Sequence, residues 1–263
     1  MKHSLLIAAA VAGLLLIALT PTLILHWHIQ MDYQPEPEEP PIWPIPDDET
    51  AARKALFINM MLPAVQASNR ELLTEREQVQ GILERRERGT HVTKSEYTWL
   101  AEQASRYRLS VPEESEDITA GWLNTLLRRV DIVPADLALA QGALESAWGT
   151  SRFAEEANNY FGQWCFSPGC GVVPARRPLG ARYEVQRFDS LDAAVSSYMR
   201  NLNSHPAYRE LRALRERQRH EGASPSGHVM AAGLSLYAEI GDTYIDHIRS
   251  VIRVNNLNEF ADY

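Results

Sequence analysis

The chain has 263 residues, 26 basic against 34 acidic, and a formal net charge of −8, which argues against a cationic nucleic-acid binder. With 45% hydrophobic and 23% charged residues it has the composition of a folded globular chain, which excludes disorder throughout. Two cysteines, Cys165 and Cys170, are too few for a disulfide-framework miniprotein or a four-cysteine zinc module.

Residues 4–25 carry no charge, and 22 residues at about 1.5 Å each span roughly 33 Å, enough for a bilayer core. The segment reads as an uncleaved membrane anchor or a cleaved signal; the run ends in Leu-Thr-Pro-Thr-Leu-Ile-Leu, a poor cleavage site. Trp27 suits an interfacial position, and Lys2 on the cytoplasmic side sends the rest of the chain outward, toward a periplasm. Prolines at 35, 37, 40, 41, 44 and 46, with glutamates between them, then predict an extended spacer over 31–48.

Beyond Asp48 the periodicity is helical. Helices are expected over 50–61, with Pro63 as a kink or break, then over 65–86, 94–107, 118–130 and 134–148. Between Gln163 and Phe188, glycines, prolines and β-branched or aromatic residues predict a small hairpin lobe. Helical spacing returns at 190–203, 207–219, 226–237 and 243–256. The expected class is α+β, mainly α, with an N-terminal helical region at 49–117 and a second domain at 118–263. A cleft between the helical and β lobes is plausible. The run Arg209, Arg212, Arg215, Arg217 and Arg219, interleaved with Glu210 and Glu216, reads as a solvated helix face with ion pairs.

The window from Pro134 to Gly162 is the most informative. Its helix is apolar on most sides, and Glu145 is the sole ionisable residue between Asp136 and Arg152. A carboxyl group there loses water on folding, which favours the protonated acid that can give a proton to the leaving oxygen of a glycosidic bond. Spacing alone equally allows a structural glutamate. Trp148, Tyr160, Phe161, Trp164 and Tyr183 cluster in the same segment; such rings can pack a core or offer flat surfaces to sugars.

The string ALESAWGTSRFAEEANNYFG at 143–162 resembles the glucosaminidase module of bacterial murein hydrolases, glycoside hydrolase family 73. That pattern runs Leu-Glu-Ser-Gly-Trp-Gly and then Asn-Asn-Leu-Phe-Gly. The resemblance extends over roughly residues 120–260. It takes in Phe188-Asp189-Ser190 followed by a helix ending in Tyr198, and Leu-Ser-Leu-Tyr-Ala with Tyr237 and Tyr244. It implies a lysozyme-like fold with a small β lobe and a peptidoglycan glycan strand as substrate. It also implies Glu145 as catalytic acid and Tyr237 in the cleft, with Asn159, Tyr160, Phe161, Trp164 and Tyr198 as candidate substrate contacts; no cofactor is implied.

One departure matters: several members carry a second acid in the β lobe, whereas residues 171–182 contain no carboxylate. Glu184 is the nearest candidate, with a solvent-facing strand residue as the alternative; Asp189 before Ser190 is explained by helix capping. A lytic transglycosylase, which needs one acid, and a non-catalytic wall-binding protein therefore stay open beside the hydrolase. Cys165 and Cys170 would close a tight loop worth about 2 kcal/mol as a disulfide in an oxidising compartment, with free thiols or a redox pair as alternatives. Neither a metal-ligand spacing nor a phosphate loop nor a Gly-x-Ser-x-Gly elbow is present. The charged stretch 70–88 can serve packing, access to the groove or an envelope partner.

Overall fold

A computed structural model describes residues 46–261. The apolar segment expected to cross a membrane and nearly all of the proline-rich spacer lie outside them. Among the described residues no helix is long and apolar enough to cross a membrane.

Helix α1, Glu49–Glu87, begins where the Asp48 side chain accepts from Ala51 N at 2.8 Å. It runs as one helix through Pro63, where a kink or a break was expected, so the break does not occur. Pro63 sits on the exposed side, while Phe57, Ile58, Met61, Leu62 and Val65 bury one continuous stripe across it. Tertiary burial of that stripe outweighs the helix bond a proline removes, about 3 kcal/mol in an isolated helix. Helix α2, Lys94–Arg106, starts with a reciprocal capping box between Thr93 and Glu96, and α3, Ala120–Leu127, is capped by Thr119.

Helix α4, Ala135–Ser146, is buried on nearly every side, and α5, Arg152–Ala157, follows after a short turn. The β lobe holds β1 (Trp164–Cys165), β2 (Gly171–Val172) and β3 (Glu184–Gln186) in the order β1-β3-β2, all antiparallel. Trp164 pairs with Val185 and Val172 with Val185, so β3 is the centre of the expected lobe. Helices α6 (Leu191–Ser204), α7 (Arg209–His220), α8 (Gly227–Met230) and α9 (Asp242–Val254) complete the fold. The class is α+β, mainly helical.

Where one helix was expected over 226–237, α8 gives way to a 3-10 turn at Ala231–Leu234. There Gly233 lies against α7 so closely that a Cβ would fall 2.2 Å from Leu211 N.

Helix α1 packs on α3, α4 and α6, and residues before and after 117 share one core. The reading of the α7 arginine run as a solvated face with ion pairs is corrected for Arg212 and Arg215, whereas Arg209 and Arg217 are exposed and Glu216 pairs with Arg128. Leu211, Arg215 and Gln218 follow inward spacing, and Arg212 and Arg215 are buried with them. Arg215 donates to the carbonyl of Arg128 and to Asn203 Oδ1, and sits 3.6 Å from Asp131 Oδ2. Arg219 grips Asp131 with two bonds of 2.6 and 2.7 Å, and Arg76 of α1 approaches it at 3.4 Å. Polar residues at helical spacing look solvated in a sequence. Here a single buried aspartate and a set of free carbonyls make them an internal clamp between α1, α7 and the loop before α4.

Candidate active site

Glu145 occupies the last turn of α4, and the next residues bring the helix to an abrupt stop. Ala147, Trp148 and Gly149 all have positive φ, at 51°, 59° and 83°. Ser146 is buried: its hydroxyl donates to Gly142 O at 2.6 Å and accepts from Gly149 N at 2.8 Å. Trp148 folds back edge-on to Phe57 of α1, with ring centroids 5.6 Å apart, beneath the ammonium of Lys54. Gly142 lets Phe57 and Phe161 approach the helix backbone. Most of the Leu-Glu-Ser-Ala-Trp-Gly string thus builds the turn that presents Glu145.

The carboxyl group is partly buried, and burial pushes its pKa up, partly offset by a hydrogen bond from Tyr244. Tyr244 Oη donates to Glu145 Oε1 at 2.8 Å. Behind it, Gln141 Nε2 donates to Tyr244 Oη at 3.0 Å, and Tyr198 Oη donates to Gln141 Oε1 at 2.7 Å. The chain runs in one direction and ends on the carboxyl group, and each donor polarises the next. Burial raises the pKa of both phenols, so they remain donors at neutral pH.

The other oxygen faces Gly162, where a Cβ would lie 3.1 Å from Oε2 in a backbone with φ of 63°. Gly162 and Tyr237 line a cleft of about 410 Å³ between the helices and the β lobe. Tyr237 Oη donates to Phe161 O at 2.8 Å, and its ring stacks on Tyr244 at 5.2 Å and 12°. Trp164, 49% exposed, forms part of the β-side wall and meets Tyr183 edge-on at 4.6 Å. Tyr237 and Trp164 therefore line one cleft, while Glu145 is not among its lining residues and meets it only through Gly162, the lining residue beside Oε2.

Other candidates go elsewhere. Tyr198 is 1% exposed and stacks on Phe161 at 3.9 Å, so neither ring is free to receive a sugar; Phe161 reaches the cleft edge as part of its floor. Tyr160 packs beside Gly149 with its hydroxyl 3.7 Å from Met60 Sδ. Asn159 is buried, with its side-chain amide on the carbonyls of Gln163 and Gln186 at 2.8 Å each and its oxygen on Gln163 N at 3.0 Å. That ties the sheet to α5. These four were expected as substrate contacts because motif residues and aromatics look alike in a sequence whether they pack or bind.

Glu184 neither faces solvent nor lines the cleft. Its two oxygens accept from Gly169 N and Gly171 N at 3.1 and 2.9 Å, and those bonds hold its carboxyl below the usual range. It braces the loop that Cys165 and Cys170 close with a disulfide. Among the described residues, Cys165, Cys170 and Glu184 are the group that could hold a metal, but the sulfurs are bonded to each other and the carboxylate is engaged. Sequence reasoning gave no site role to Gln141, Tyr244 or Gly162, although Tyr244 and Gly162 stood within the family pattern. Gln141 lies one turn before Glu145 on an otherwise apolar helix, which was the available signal for it.

Residues 121–257 match the family described as mannosyl-glycoprotein endo-beta-N-acetylglucosaminidase, the Glucosaminidase family. The chain is 30% identical over 203 residues to Protein bax of Escherichia coli strain K12, covering 77% of this chain and 70% of that protein. No solved structure gives a significant match. A helix-end glutamate with the proton affinity of a buried acid, beside a polar cleft, agrees with both matches: the chain belongs to the glucosaminidase family of glycosidases.

Proposed function

We propose that the protein is a peptidoglycan hydrolase of the endo-β-N-acetylglucosaminidase type, built on a lysozyme-like arrangement of helices and a small sheet. The observation that carries this is Glu145 itself: burial raises its pKa, Oε1 accepts from Tyr244, and Oε2 lies beside Gly162, a residue that lines the cleft. In the reaction Oε2 gives its proton to the glycosidic oxygen, and the bond from that oxygen to the anomeric carbon breaks as positive charge develops on the sugar. Attack on the anomeric carbon, by water or first by the sugar's own acetamido oxygen, completes substitution. The Glu145 carboxylate then takes the proton released by water and returns to its starting state.

A second reading is favoured by one specific observation: apart from Glu145, which abuts the cleft residue Gly162, no carboxylate stands at the cleft, and Glu184 is held by the amides of Gly169 and Gly171. A lytic transglycosylase needs only the acid, because a hydroxyl of the sugar itself attacks and leaves an anhydro end. Mass spectrometry of fragments released from purified sacculi separates the two. Reducing N-acetylglucosamine ends support the hydrolase, anhydro ends the transglycosylase, and no soluble fragments a wall-binding protein without activity.

A further inference from the structure

The cleft is lined by three arginines, Arg106, Arg108 and Arg200, and by no aspartate or glutamate, in a chain whose formal net charge is −8. Arg106 is already committed to an ion pair with Glu75 of α1. Arg108 and Arg200 are exposed, and among the described residues neither guanidinium has a carboxylate partner. Two unpaired cations among the lining of a groove without acids make a local positive field, strongest where the protein excludes water.

The mounting of Arg108 points the same way. It follows the end of α2 with φ of 55°, a conformation that costs a residue with a Cβ about 1–2 kcal/mol and that glycine adopts freely. Arg129 pins this turn by donating to the carbonyls of Tyr107 and Arg108 at 2.6 and 2.8 Å. A long cationic side chain thus stands where a glycine would be the relaxed choice, on a fixed backbone and at the cleft. Strain of this kind, kept in place by surrounding bonds, is a mark of a working position. Arg108 precedes the 121–257 region that the family covers and Arg200 lies within it, so the N-terminal helices add one of the two cations to the glycosidase cleft.

We propose that Arg108 and Arg200 form a subsite for carboxylate groups on the peptide stems of the glycan strand, so that the cleft selects strands bearing free stem carboxylates. The inference rests on the peptidoglycan reading of the cleft. A planar guanidinium can take a carboxylate through two parallel hydrogen bonds, which fixes the orientation of the stem as well as adding attraction.

The test is calorimetric binding of the full chain, in a Glu145→Gln background to prevent turnover, to soluble murein fragments with tetrapeptide stems. The same fragments with every stem carboxylate converted to a methylamide serve as the comparison. Two part-exposed ion pairs predict about fivefold to tenfold tighter binding of the native fragments, fading as salt is raised. Arg108→Ala with Arg200→Ala removes that preference, and Arg108→Lys with Arg200→Lys restores part of it. Equal affinity for the two fragments, or an equal loss on both in the alanine variant, overturns the inference while leaving the glycosidase reading intact. Binding of neither fragment overturns both.

Discussion

Tyr244→Phe isolates the control of the catalytic proton. The substitution keeps the ring that stacks on Tyr237 and deletes one oxygen, which now donates to Glu145 Oε1 at 2.8 Å and accepts from Gln141 Nε2 at 3.0 Å. The Tyr244 bond is the influence that lowers the Glu145 pKa against the rise imposed by burial. A hydrogen bond to a charged group is worth about 1.5–3 kcal/mol, and about 1.4 kcal/mol of preference between protonation states corresponds to one pH unit. Without the bond the charged form loses its support, so the carboxyl group holds its proton to higher pH. A general acid is active while protonated, and its contribution is lost as pH rises through its pKa. The alkaline limb of kcat/KM for glycan release therefore moves upward in the variant. The plateau falls as well, because Oε2 is no longer held in orientation. Buried Gln141 Nε2 loses its acceptor, at a cost of about 1–3 kcal/mol of stability by denaturant unfolding. An alkaline limb that stays in place in a folded variant, or moves toward acid, would refute this account of the relay.

Other substitutions probe the frame around the acid. Gly162→Ala puts a methyl 3.1 Å from Glu145 Oε2 at a φ of 63°; turnover should fall at least about tenfold for about 1–2 kcal/mol of stability, with the ratio of the two effects as the readout. Ala147→Gly acts oppositely: Ala147 is exposed at φ of 51°, so relief of the left-handed strain should stabilise the fold by about 1 kcal/mol, seen as a higher Tm. Arg215→Ala leaves Asp131 short of a cation and several carbonyls without a donor, for a loss of about 3–5 kcal/mol in denaturant unfolding. For Asp131, burial pushes the pKa up but Arg215, Arg219 and Arg76 outweigh it and leave it lowered. Its stabilising contribution is therefore present above the ordinary aspartate range and lost as pH falls through the lowered value; Asp131→Asn should flatten that acid-side loss.

Much of the helical layout was legible because the apolar spacing of α1, α4, α6 and α9 is set by the core they share. The partly buried place of Glu145 at the end of α4 was legible for the same reason, since one ionisable residue among apolar neighbours has few places to go. What stayed hidden depends on partners distant in the chain. Pro63 looks like a break until α3, α4 and α6 are laid against α1. Arg215 looks solvated until Asp131, 84 residues earlier, is brought beneath it. Glu184 resembles a second acid until the two glycine amides of the disulfide loop are seen to claim it. Tyr198 and Phe161 resemble a sugar platform until they are found stacked on each other. Ala147 stands where the family pattern has glycine, and its left-handed backbone supplies the reason for that glycine. Gln141 and Tyr244 are 103 residues apart and join only across the packed faces of α4 and α9.

The most direct measurement is turnover of purified sacculi by Glu145→Gln, with its fold checked by circular dichroism and Tm. The amide keeps the size of the side chain and can still accept from Tyr244, yet it has no acidic proton to give. Release of soluble fragments should fall by about a hundredfold or more at unchanged stability. Turnover close to that of the parent protein, in a variant with the parent's fold, would contradict the assignment of Glu145 as the acid.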